Sequence, residues 1–148
     1  MPIDKKVIVR KITFINRDLK LLAALSAVSL QEFLKKPEYE ALAERYLERI
    51  IGRMIDINYH ILAKAEEHSP TDMYNSFIDM GKKGYLDNRL AGKTADSAGL
   101  RNRLTHEYDE IDEKKIYKAM KTCLADVPRY LSQIEKLLNK KSKQKKLL

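Results

Sequence analysis

Cysteine occurs once in this 148-residue chain, at Cys123. A lone thiol excludes an intrachain disulfide and fits a reducing cytoplasm. Glycine and proline are scarce, with five and four copies, so long uninterrupted segments are expected. No run approaches the roughly 20 apolar residues needed to span a bilayer. The start, MPIDKKVIVRK, lacks an apolar core followed by a small-residue cleavage site, so no signal peptide is read. A cytoplasmic protein without membrane association is expected. No Cys, His and Asp spacing resembles a zinc site, and GKKG at residues 81–84 reads as a turn, not a phosphate loop. No metal and no cofactor is expected.

What is present is charge and helical periodicity. Apolar residues make up 44% and charged residues 34% of the chain, and the length suits one domain with a substantial core. The net charge of +8 suggests nucleic acid, but it is unevenly placed. The last ten residues, NKKSKQKKLL, hold five lysines and no acid; the rest carries 24 basic against 21 acidic side chains, only +3. The expected organisation is a helical domain over residues 1–138 and a lysine-rich, disordered tail over 139–148. Any RNA site in the body must therefore be local.

Ile8, Ile12, Ile15, Leu19 and Leu22 recur at steps of four and three, one face of a helix from about Asp4 to Ala27. Ser29 is placed to cap a short helix, LQEFLKK, that ends before Pro37. A long helix follows from Pro37 to Glu66, with Leu42, Tyr46, Ile50, Met54, Ile57 and Ile61 as its apolar stripe. Ser69-Pro70 breaks the chain before a third helix carrying Met73, Tyr74, Phe77, Ile78 and Met80. The next helix starts near Asn88, and its Ala91, Ala95, Ala98 and Gly99 form a small-residue packing seam. Asp112 is the expected N-cap of a last helix running to about Leu138, kinked at Pro128. The fold class is all-α, an up-and-down bundle of four to five helices.

One string concentrates chemistry: Arg101-Asn102-Arg103-Leu104-Thr105-His106-Glu107-Tyr108. On a helix Arg101 and Tyr108 nearly eclipse, and Asn102 and His106 stack one turn apart. Arg101 and His106 diverge by about 140° at 100° per residue, yet both can flank one groove. An arginine fork can neutralise charge building on a phosphate. A histidine can move the proton of a 2′-hydroxyl or a 5′-oxygen, typically worth about 10²–10⁴ in rate. RNA brings its own nucleophile, and DNA, lacking it, should resist. One histidine cannot readily serve both sides of one phosphorus, which a symmetric pair of chains would solve. Spacing alone also fits a solvated helix surface and a half-buried packing tyrosine.

The string resembles the Arg, polar residue, spacer, His signature of the HEPN superfamily, and more narrowly that of HepT-like toxins, whose version ends in His-x-Tyr. The likeness extends over about residues 4–138, through LQEFLKKPEYEALAERYLERIIGRMIDINYHIL, SPTDMYNSFIDMGKKGYL and HEYDEIDEKKIY. It implies a homodimeric helical bundle with its motifs facing a cleft between protomers, and a metal-independent endoribonuclease that halts growth. Arg101 would hold the scissile phosphate, His106 would be the general acid/base and Asn102 would orient either. Tyr108 matches the tyrosine to which a cognate minimal nucleotidyltransferase antitoxin transfers AMP. Thr105 departs from the pattern, being polar where such helices more often carry an aliphatic residue.

Elsewhere, Arg45, Arg49 and Arg53 lie four apart, with Glu48 and Asp56 spaced to offset them. A salt-bridged face is expected, with Arg45 as a possible RNA contact. His60 reads as a packed structural histidine, His68 as a helix-end cation and Cys123 as a buried thiol. The alternative to a toxin ribonuclease is a non-catalytic helical dimer serving as binding subunit or modification target of a nucleotidyltransferase. A body charge of only +3 is thin for an RNA binder and favours that alternative.

Overall fold

The computed structural model describes residues 2–106 and 111–147, with side chains up to residue 140. The described residues form six helices: α1 (Lys5–Ser26), α2 (Leu30–Lys35), α3 (Pro37–Glu66), α4 (Met73–Lys82), α5 (Asn88–His106) and α6 (Glu113–Leu147). There is no strand among the described residues.

Helix starts follow local chemistry. Asp4 caps α1 by accepting from the Lys6 and Val7 amides, Ser29 caps α2 through Glu32, and Asp72 caps α4 through Asn75. Such caps satisfy donors that the first turn leaves orphaned. The Asp112 carboxylate accepts from Lys114 at 2.9 Å, the cap expected for α6. Pro37 occupies the first turn of α3, where its missing N–H costs nothing. At the other end Glu67 turns left-handed at φ 49°, and His68 N–H reaches back to the Leu62 carbonyl.

α1 and α3 pack antiparallel, because contacts descend one helix as they climb the other: Asp4 with His60, Lys11 with Asp56, Asp18 with Arg53 and Arg49. The core joins Ile8, Ile15 and Leu22 of α1 to Leu47, Ile50, Met54, Ile57 and Ile61 of α3, closed by Phe77, Met120, Tyr130 and Ile134. Two expectations fail here. Leu42 is 44% exposed and Ala43 takes the inward position, since the stripe enters one residue later. Asp56 pairs with Lys11, so the partner of Arg53 is not Asp56 but Asp18.

α6 runs through Pro128 without ending. Its helical backbone continues to Leu147, past the expected end at Leu138. The helix count exceeds the expected four to five because the short α2 stands as a separate element.

Candidate active site

The site begins with what holds α5 in place. The Asp87 carboxylate accepts the Leu90 amide at 2.7 Å and the Gln133 side-chain amide at 2.6 Å, and Gln133 accepts from the Asp87 N–H at 2.9 Å. These bonds, the Leu90 amide foremost, hold the Asp87 carboxyl below its usual range and tie the start of α5 to α6. Ala91, Ala95 and Ala98 are buried and form a seam with α4 as principal neighbour, whereas Gly99, expected in that seam, is exposed. The approach is close: a Cβ on Gly81 would stand 2.8 Å from Ala91 Cβ and 2.9 Å from Asn88 Oδ1. The seam slides the last turns of α5 past the start of α4 and the middle of α3.

Arg101 is placed by that approach. Its Nη1 donates to Met73 Sδ at 3.5 Å. Its guanidinium lies over α3 at Gly52, where a Cβ would meet Nε at 3.3 Å and Nη2 at 3.8 Å. Nε is enclosed and finds no acceptor among the described residues. Among the described residues the seat that holds it is therefore uncharged, a thioether and a glycine of α3. Thr105, the departure from the family pattern, donates its hydroxyl to the Arg101 carbonyl at 2.9 Å and so braces the turn that precedes His106.

Met73 is itself secured. Its carbonyl accepts from Ser76 Oγ at 2.7 Å, and Ser76 Oγ in turn receives Asn58 Nδ2 at 3.1 Å. The Tyr130 hydroxyl lies 2.6 Å from Asn58 Oδ1 and 3.0 Å from the Met54 carbonyl. Tyr130, Asn58 and Ser76 are fully buried, so a polar chain crosses the bundle from α6 through α3 to the first turn of α4. The sequence reading passed over all three. The available signal was a polar side chain inside an apolar stripe: Asn58 stands between Ile57 and Ile61, and Tyr130 between Val127 and Ile134.

Asn102 is exposed and borders a cavity of about 330 Å³ with Asp72, Met73, Tyr74, Ala98 and Gly99. His106, the last residue of α5, is exposed. Arg101 thus turns inward onto α3 and α4 while His106 faces solvent. Tyr108 lies outside the described residues.

Arg45 is exposed, with Glu48 at 3.6 Å. Arg49 and Arg53 converge on buried Asp18 at 3.2 and 2.5 Å, and Arg53 and Arg17 also stack on Phe14. His60 is half-buried and accepts the Asp4 N–H through Nε2 at 3.0 Å. Burial foremost holds its pKa below 6.5, with Lys64 helping and Asp4 opposing. His68 pairs with Asp79 at 2.7 Å. Burial, assisted by Asp126, pushes the Cys123 thiol up to about 12. Among the described residues no three His, Cys, Asp or Glu side chains cluster closely enough to hold a metal ion, and no helix is long and apolar enough to cross a membrane.

The family model described as ribonuclease HepT-like matches residues 15–134. The chain belongs to this family. It is 37% identical over 136 residues to a protein named tRNA nuclease HepT from Aphanizomenon flos-aquae, covering 92% of each chain. In fold it is similar to a tri-AMPylated HEPN toxin from Shewanella oneidensis solved in complex with an MNT antitoxin. That match has a TM-score of 0.80 at 22% identity and covers 87% of this chain and 96% of that one. A toxin–antitoxin structure with AMP-PNP superposes with a TM-score of 0.81 at 21% identity, covering 88% and 98%. The HepT-like resemblance and the all-α bundle read from the sequence are both borne out.

Proposed function

We propose that this protein is the toxin of a toxin–antitoxin pair, an endoribonuclease that uses Arg101 and His106 on RNA. One observation carries the reading. Among the described residues Arg101 is held by the Met73 sulfur and lies against α3 at Gly52, with no acceptor for its Nε. No carboxylate among the described residues pairs with its guanidinium, which suits it to an incoming anion, five residues before an exposed histidine.

In the proposed reaction a neutral His106 takes the proton of the 2′-hydroxyl. The 2′-oxygen attacks the adjacent phosphorus, and the P–O bond to the 5′-oxygen breaks. Arg101 stabilises the charge gathering on the non-bridging oxygens, and Asn102 orients phosphate or imidazole. The leaving 5′-oxygen takes its proton from a protonated His106 of a second copy, which makes a homodimer the working unit. The products are a 2′,3′-cyclic phosphate and a 5′-hydroxyl. RNA supplies the nucleophile, so the step is written without a metal. The relative's name makes tRNA the first substrate to test.

The cognate antitoxin is a minimal nucleotidyltransferase, and Tyr108 is its target. The phenol loses its proton to solvent, its oxygen attacks the α-phosphorus of ATP, and pyrophosphate leaves as the α–β P–O bond breaks. The added AMP brings bulk and negative charge seven residues after Arg101 in the motif, disfavouring substrate phosphate. The AMPylated HEPN toxin supports this switch.

His106→Ala should abolish cleavage of deacylated tRNA transcripts while circular dichroism and oligomeric state stay unchanged. Equal cleavage by both proteins refutes the reading. Coexpression with the nucleotidyltransferase should add one or more AMP masses to the wild type and none to Tyr108→Phe.

A further inference from the structure

The cavity beside Arg101 has features that holding a phosphate does not require. It is walled by Tyr74 and Met73, which are 45% and 39% exposed, and bordered by Asp72 and Asn102. Its floor is Ala98 and Gly99. A Cβ at Gly99 would touch only Arg103 Nη1, at 4.0 Å, so the space above that residue is open. Met73 belongs both to the cavity and to the seat of Arg101, which makes the two neighbours.

We propose that this cavity is a nucleobase subsite, taking the base of a nucleotide next to the phosphate bound by Arg101. This deepens the ribonuclease reading and rests on it. An aromatic side chain left 45% exposed at the wall of a cavity suits base stacking, the interaction by which proteins grip unpaired bases. The Asp72 carboxylate disfavours a phosphate at its edge of the cavity, which leaves the phosphate to Arg101 and the neighbouring Arg103. The same carboxylate accepts from an exocyclic amine, and the Asn102 amide offers both a donor and an acceptor to a base edge. The subsite therefore prefers adenine, cytosine or guanine over uracil, which has no exocyclic amine. The base must be unstacked to enter, so single-stranded RNA is the substrate form. The cap of α4 also fixes the Asp72 side chain, since its Oδ1 accepts from the Asn75 backbone and side-chain amides at 2.7 and 2.9 Å.

The test uses the full chain and fluorescent single-stranded RNA oligonucleotides varied at one position beside the cleaved bond. The wild type should cleave sequences with an amino-bearing base there in preference to uracil. Tyr74→Ala should raise KM by about 5- to 100-fold with kcat much less affected, the usual cost of losing one stacked base. Tyr74→Phe should stay near wild type, since it keeps the ring. Gly99→Leu, which fills the cavity from an exposed position, should erase the base preference. If the wild type cleaves but Tyr74→Ala and Gly99→Leu keep its KM and preference, the subsite is refuted while the ribonuclease reading stands. The subsite is equally overturned if those variants cleave normally and lose only affinity for the nucleotidyltransferase, which would make the patch a protein contact. A wild type that cleaves no RNA brings down the ribonuclease reading and the subsite together.

Discussion

Replacing Gly52 by alanine separates the seat of Arg101 from the stability of the bundle. Gly52 lies inside α3, where exchanging glycine for alanine stabilises a helix by roughly 1 kcal/mol. For a domain of this size that corresponds to a rise in Tm of about 2–4 °C. The new methyl group would stand 3.3 Å from Arg101 Nε, 3.8 Å from Nη2 and 4.0 Å from Cζ. The first distance is shorter than the roughly 3.5–4.0 Å of unstrained contact, so the guanidinium must retreat by a few tenths of an ångström. A misplacement of about 1 Å can cost about 10²-fold in rate, and a retreat of this size should lower kcat roughly 3- to 10-fold. Arg101→Ala sets the ceiling, near the roughly 10²–10³-fold typical of losing one transition-state donor. Initial rates on a fluorescent RNA and a thermal melt of the same preparation give both numbers. A folding defect would lower both Tm and kcat, whereas a displaced arginine lowers kcat while Tm rises. Wild-type kcat in a more thermostable Gly52→Ala would show that the contact with α3 does not position the guanidinium.

Asp18→Ala leaves Arg49 and Arg53 without their shared carboxylate. Breaking a fully buried pair costs about 3–5 kcal/mol, but the two arginines are 33% and 20% exposed and can rehydrate. A loss of about 2–3 kcal/mol in a urea melt is expected, and less than about 1 would mean that the cluster contributes little. His60 accepts the Asp4 N–H only when neutral, and its folded pKa lies below 6.5. The unfolded chain therefore binds the proton first as pH falls. This contribution is complete above about pH 6.5 and is lost as pH drops toward the folded value. Between pH 7.5 and 5.5 the wild type should lose more Tm than His60→Gln, which does not titrate; parallel curves would rule out the imidazole as the cause.

Much of this was open to the sequence, and what was hidden shares one physical character. Helix ends were legible because capping is local: Asp4, Ser29, Pro37 and Asp112 act within their own first turns. The small-residue seam was legible because its spacing is a property of one helix. The polar groups of the interior were not, since each has its partner on another helix: Asp18 of α1 with Arg49 and Arg53 of α3, Asn58 of α3 with Tyr130 of α6. Arg53 was assigned to Asp56 by helical spacing, yet the cross-helix register gave it Asp18 and gave Asp56 to Lys11. The motif drew attention to Arg101, but Gly52 and Met73, which seat it, are 49 and 28 residues away in sequence. A glycine inside a long helix was the only hint, and its meaning depends on what packs there.

The chain holds arginines in two opposite ways, and the contrast argues for what Arg101 is for. Arg53 is spent on structure: a carboxylate at 2.5 Å and the Phe14 ring satisfy it. A phosphate competing for such a guanidinium would have to overcome about 4 kcal/mol of attraction at 4 Å in a surface-like dielectric. Arg101 has a sulfur, a glycine and an enclosed Nε without an acceptor among the described residues. That arrangement is poor for stability, because an unsatisfied buried donor costs about 1–3 kcal/mol. A purely structural arginine on α5 would gain by acquiring an acid on α3 or α4. The neutral seat makes sense if fixing the guanidinium without quenching it is worth more than that lost stability, as at a site awaiting an anion. Gly52 then answers to the geometry of Arg101 before the propensity of its own helix.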